Sequence, residues 1–190
     1  MKPISQLSVE ELAALVCQTL ARAGVPVTLT GGACVQIWSE GKYVSYDLDF
    51  IEEGLFPRRQ LRDALAALGF VERNRYFAHP KTRWVVEFPT GPLIVGDERV
   101  VRTAERRTPL GTLRLLTPTD CVKDRLTAFY HWNDRQALEQ AILVARAQSV
   151  DLDDIRRWSR AEGADAKFRV FRERLAKPDR RRSGRWLSAA

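Results

Sequence analysis

The chain has 190 residues, 45% hydrophobic and 29% charged, which fits one globular domain with a sizeable core, or one domain plus a helical appendage, and argues against wholesale disorder. Thirty-one Lys and Arg against 24 Asp and Glu give a net charge of +7, an excess that suits an acidic partner such as RNA, DNA or a nucleotide. Three scattered cysteines without a C-x-x-C pair and only two histidines argue against a disulfide framework and against zinc chemistry.

The N-terminal residues lack the charged-then-apolar pattern of a signal peptide, and no apolar run reaches membrane-spanning length, so a soluble cytoplasmic protein is expected. Ser8-Val-Glu-Glu11 has the form of a capping box, followed by Leu12, Leu15, Val16 and Leu20 at helical spacing. Gly24 stops that helix, and Pro26 leads into a buried strand over residues 27–30 that breaks at Gly31-Gly32 into a short helix. Residues 46–50 form a second strand in which Asp47 and Asp49 alternate with Tyr46, Leu48 and Phe50. Pro57 opens an amphipathic helix closed by Gly69. Residues 70–72, 75–78 and 83–88 read as short strands, and 93–95 with 99–102 as a hairpin through Gly96-Asp97 that extends the sheet.

From Thr117 the texture becomes helical. Thr117-Pro118 starts one helix, Asn133 restarts another, Asp151 caps a third, and residues 167–175 form the last. The expected plan is α/β: a mixed sheet flanked by helices over residues 1–116, a helical portion over 117–176 packed on it, and a polar, basic tail over 177–190 carrying Arg180-Arg181-Arg182.

The second strand carries the chemistry. Side chains two apart on a strand share a face about 7 Å apart, so Asp47 and Asp49 repel unless a cation lies between them. Oxygen-only ligands favour a hard ion, Mg2+ or Mn2+. Gly31 and Gly32 allow close backbone approach to a phosphate, and the helix after them offers free N–H donors, with the Thr30 hydroxyl as a further donor. The alternative for the acids is a solvated edge strand.

A strand, a Gly-Gly pair, a short helix and then an Asp-x-Asp strand resembles the nucleotidyltransferase superfamily, the polymerase-β-like fold. The segment Ser45-Tyr-Asp47-Leu-Asp49-Phe50 is similar to that of its minimal AbiEii/MenT-type members, the toxins of type IV toxin–antitoxin systems, and Lys123-Asp-Arg125 with Asp134 downstream resembles a later element of that family. Tyr43 stands where those toxins often carry an arginine. The resemblance implies a Mg2+- or Mn2+-dependent enzyme moving an NMP from an NTP to an acceptor hydroxyl, such as a tRNA 3′ end, with a cognate antitoxin as partner. The alternatives are transfer onto a protein or a small molecule such as an aminoglycoside, or an inactive fold serving as a binding module.

It also implies roles. Asp47 and Asp49 would hold the metal. Glu87, an acid within the apolar run Trp84-Val-Val-Glu-Phe88, is the expected third carboxylate, as ligand or general base, unless it pairs with Arg83 or Arg75. Ser45 would bond a phosphate or orient Asp47. Lys123 would reach the β- and γ-phosphates, and Arg125 would join the nucleotide site or brace it through an ion pair with Asp120 or Glu139; the alternative for Asp134 is a first-turn acid that only complements a helix dipole. Tyr130-His131-Trp132 reads as core and helix end, and Arg156-Arg157 as an RNA-contacting face or a solvated one.

Overall fold

The computed structural model describes residues 2–178, so the arginine run of the expected tail lies outside the described residues. Helix α1 (Val9–Arg22) starts from the reciprocal cap read in the sequence: Ser8 Oγ accepts from the Glu11 amide at 3.2 Å, and the Glu11 carboxylate accepts from the Ser8 amide at 2.7 Å. Leu12, Val16 and Leu20 are fully buried along its inner face.

Seven strands form one sheet in the order β3-β4-β5-β2-β1-β9-β8. They are β1 (Val27–Leu29), β2 (Asp47–Glu52), β3 (Val71–Arg73), β4 (Tyr76–Ala78), β5 (Val85–Glu87), β8 (Thr103–Thr108) and β9 (Gly111–Leu116). The pairs β2·β5 and β1·β9 are parallel and the others antiparallel. Two differences from the sequence reading stand out. The hairpin of β6 (Ile94–Val95) and β7 (Glu98–Arg99) forms its own two-stranded sheet instead of extending the main one. Residues 103–116, which carried no assigned element, form the β8–β9 hairpin, and β9 lies beside β1 at the centre.

Helix α2 (Gly31–Trp38) follows β1 directly, and α3 (Arg58–Ala66) starts after Pro57 as expected and buries Leu61 and Leu65. Helix α4 (Pro118–Trp132) is capped by the Thr117 hydroxyl, which accepts from the Asp120 amide at 3.1 Å. Asn133 does not restart a helix. It ends α4 with φ 54°, a left-handed conformation that asparagine tolerates, and Asp134 then caps α5 (Arg135–Ala147). Helices α6 (Leu152–Ala161) and α7 (Asp165–Ala176) are the last elements among the described residues.

The core runs unbroken from the sheet into the helices. Leu29, Leu48, Phe50, Leu113 and Leu115 are fully buried, as are Leu126, Trp158 and Phe171. Both indole N–H groups that enter it find carbonyls: Trp38 Nε1 donates to Leu116 at 2.9 Å and Trp158 Nε1 to Val95 at 3.2 Å. The Cys17, Cys34 and Cys121 thiols are free and buried, and Tyr130 stacks on Trp158 at 5.5 Å, as core.

Candidate active site

Strand β2 alternates as read: Leu48 and Phe50 are buried, Asp49 is half-buried and Asp47 is exposed. Its parallel register with β5 sets Asp47 against Val85, Leu48 against Val86 and Asp49 against Glu87. Paired residues on parallel strands project to the same side about 4.8 Å apart, so Glu87 joins Asp49 and Asp47 on one face. No ion pair holds Glu87 to Arg83 or Arg75 among the described residues. Arg83 instead lies over the Tyr46 ring at 4.3 Å. Burial first, then the charges of Glu87 and Asp47, push the Asp49 carboxyl up to about 6. This is the electrostatic signature of acids forced together.

The glycine pair meets these acids at close range. Thr30 donates its backbone N–H to the Asp49 carbonyl at 2.8 Å, so β1 ends alongside the acid. Gly31 then turns at φ +62°, and a Cβ there would overlap the Asp49 carboxylate. A Cβ on Gly32 would lie 2.7 Å from Ser45 Oγ and 3.5 Å from the Tyr43 ring. Gly31 therefore admits no other residue without strain, and a side chain at Gly32 would require Ser45 to shift. The Thr30 hydroxyl does not cap α2; it donates to the Asp49 carbonyl at 3.3 Å. Ser45 is tied to the Asp47 backbone, accepting from its amide at 3.3 Å and donating to its carbonyl at 3.4 Å. Trp84 Nε1 fixes the same turn by donating to the Ser45 carbonyl at 3.1 Å.

Helix α4 supplies a different set from the one expected. The Lys123 ammonium is buried among carboxylates: Asp154 at 2.5 Å, and Asp120 and Glu98 at 3.8 Å each. It lines a hollow of about 250 Å³ with Arg99, Arg102 and Arg157, and none of the three site acids is among its partners. The expected reach to the phosphates is thus replaced by an ionic knot that ties α4 to β7 and α6. Arg125 pairs not with Asp120 or Glu139 but with its neighbour Asp124, whose Oδ2 accepts from Nε at 3.0 Å and from Nη2 at 2.5 Å. Both charges act on Asp49, Arg125 lowering its pKa and Asp124 raising it, so this pair lies within electrostatic reach of Asp49. Asp134 serves as a helix cap, accepting from the Gln136 and Ala137 amides. Arg157 is bound by Glu98 and Asp154, and Arg156 by Asp153.

Neither a protein-family model nor a curated protein sequence matches the chain. Solved structures do match. The solution structure of the antibiotic-resistance factor ANT(2'')-Ia aligns with a TM-score of 0.50 at 12% identity, covering 88% of this chain and 94% of that one. A nucleotidyltransferase-like protein from Paracoccidioides brasiliensis aligns at 0.45 and 14% identity, covering 74% and 78%. A crystal structure of ANT(2'')-Ia in complex with adenylyl-2''-tobramycin aligns at 0.44 and 14%, covering 85% and 95%. The fold is that of the nucleotidyltransferases.

On this nucleotidyltransferase fold, the donor set suits a hard divalent cation. All candidate ligands are carboxylate oxygens, and the half-buried Asp49, in no ion pair among the described residues, stands beside a second acid. Among the described residues no three such side chains converge as a ready cage. Mg2+ is commonly held by one or two carboxylates with water and substrate phosphates completing its shell, which these acids permit. Sequence reasoning did not single out Asp124, because adjacent residues on a helix diverge; the length of the Arg125 side chain is what lets it curl back to its neighbour.

Proposed function

We propose that the protein is a Mg2+- or Mn2+-dependent nucleotidyltransferase that moves an NMP from an NTP to an acceptor hydroxyl and releases pyrophosphate. The observation that carries this reading is the juxtaposition of Asp49 with Glu87 on one side and Gly31 on the other: a carboxylate in no ion pair among the described residues, packed against a helix N-terminus where a side chain at Gly31 would overlap it. Burying ionised acids together is costly unless a cation and a charged substrate complete the site.

Asp47 and Asp49 would hold the cation, with Glu87 beside them; bound there it would neutralise phosphate charge and lower the pKa of the attacking hydroxyl. The backbone N–H groups at Gly31 and Gly32 would receive phosphate oxygens at the N-terminus of α2. Glu87 would take the proton of the acceptor hydroxyl as its oxygen bonds to the α-phosphorus and the bond from that phosphorus to the β-phosphate oxygen breaks. Ser45 keeps Asp47 oriented, and Lys123 braces α4 against β7 and α6.

The finer reading, by resemblance, is a type IV toxin-like enzyme acting on a tRNA 3′ end, with an antitoxin protein as partner. The net charge of +7 favours a polyanionic acceptor. The test is incubation with each labelled NTP, Mg2+ and, in turn, total tRNA, protein extract and aminoglycosides. Label on RNA is expected. Label on protein or aminoglycoside retains the reaction and replaces the acceptor. Equal, background labelling by wild type and Asp49→Ala with every acceptor overturns the enzyme and leaves a binding module.

A further inference from the structure

Helices α2 and α4 pack antiparallel. The Trp38 indole at the end of α2 donates to Leu116, just before α4 begins, and one turn inward the Cys34 thiol lies against the Leu116 carbonyl and the Cys121 thiol. One further turn brings residues 124 and 125 opposite the N-terminus of α2, where Gly31 meets Asp49. There two side chains that should diverge on the helix are drawn together. Neighbours i and i+1 point about 100° apart, and ordinary helix ion pairs join i to i+3 or i+4. Arg125 nonetheless turns its guanidinium edge-on to Asp124, bonding Oδ2 through both Nε and Nη2 at 3.0 and 2.5 Å.

The donor inventory of that guanidinium is informative. Of its five N–H groups, Asp124 takes one on Nε and one on Nη2. The buried Gln140 carbonyl oxygen accepts a third from Nη1 at 3.5 Å. One N–H on each terminal nitrogen remains for a ligand. The side chain is 21% exposed, so its course is largely fixed by the protein while part of it still meets solvent.

We propose that Asp124, assisted by Gln140, is a positioning residue that presets the Arg125 guanidinium to clamp the triphosphate at the N-terminus of α2. The assignment rests on the nucleotidyltransferase reading of the site. Asp124 touches no substrate; it acts through Arg125, immobilising a side chain that would otherwise have to be ordered when ligand binds.

The sign of one substitution separates positioning from charge. Asp124 is an acid near a polyanion site, so removing its charge alone should tighten polyphosphate binding. Loss of positioning should weaken it. The experiment is calorimetric titration of the full chain with inorganic tripolyphosphate in excess Mg2+, with thermal unfolding of each variant followed alongside. Asp124→Asn is expected to bind about tenfold more weakly, the equivalent of one charge-assisted hydrogen bond. Asp124→Glu, which restores a carboxylate to the guanidinium, is expected to recover to within about threefold of wild type. In an Arg125→Ala background, Asp124→Asn should cause no further loss. Wild-type or tighter binding by Asp124→Asn, no recovery in Asp124→Glu, or an undiminished loss in the Arg125→Ala background each overturns the proposal. If Asp124→Asn does not fold, Gln140→Met takes its place, with an expected loss of about threefold; unchanged affinity overturns the proposal. A wild-type chain that binds no tripolyphosphate refutes instead the nucleotidyltransferase reading beneath it.

Discussion

Replacing Asp49 by asparagine should make the metal-free protein more stable at alkaline pH. In the folded chain, burial and the neighbouring Glu87 and Asp47 raise this carboxyl from 3.8 to about 6. A carboxyl whose folded pKa lies above its unfolded value opposes folding wherever it is ionised. The penalty is absent below about pH 4, grows between pH 4 and 6, and is complete above. Roughly two pKa units at 1.36 kcal/mol each put it at about 3 kcal/mol. Asp49→Asn carries no charge to desolvate and nearly the same shape. At pH 8, with chelator present, it should therefore exceed wild type by up to about 3 kcal/mol in urea denaturation, or by about 5–10 °C in Tm for a chain of this size. At pH 3.5 the two proteins should coincide. Added Mg2+ should close the gap at pH 8 by stabilising wild type alone. Equal stabilities at pH 8, or a gap independent of pH, would refute the placement of a half-buried Asp49 beside Glu87 and Asp47.

Gly31→Ala combines an unfavourable left-handed backbone with overlap of the Asp49 carboxylate, so it should lose about 1–3 kcal/mol of stability in denaturant titration and lose nucleotidyl transfer in the labelling assay. Lys123→Met removes the cation from three carboxylates and should cost about 2–4 kcal/mol in the same titration, while tripolyphosphate affinity stays near wild type; a stable variant that no longer binds would place Lys123 at the phosphates after all. Because a proton competes with the cation for Asp49, Mg2+ affinity measured by calorimetry should be level above pH 6 and fall about tenfold per unit below it; a level profile to pH 5 would count against Asp49 as a ligand. If the toxin reading holds, expression arrests growth and Asp47→Ala relieves the arrest, measured as culture density; harmless wild-type expression removes the toxin role and leaves the enzymology standing.

Local chemistry made much of this fold legible. Ser8 with Glu11, Thr117 before Pro118, and Asp151 declare their helix starts because a cap is a contact between neighbours in the chain. The period-two pattern of residues 47–50 declared both the strand and the side its acids occupy. Strand β8 stayed hidden because Glu105, Arg106 and Arg107 are exposed on a sheet edge, where charge discourages pairing with other chains and erases the apolar alternation. The partners of Lys123 come from β7 and α6, far along the chain, so no spacing rule could have matched it with Glu98 and Asp154 in place of a phosphate.

The central position of β1 has a consequence for biosynthesis. Its neighbours are β2, made soon after it, and β9, made more than eighty residues later. Until residues 111–116 leave the ribosome, Val27, Thr28 and Leu29, all buried in the finished sheet, sit on an open hydrogen-bonding flank. A nascent chain halted before that point would carry a sticky margin next to an unassembled candidate site, and a fragment ending there should not fold around those acids.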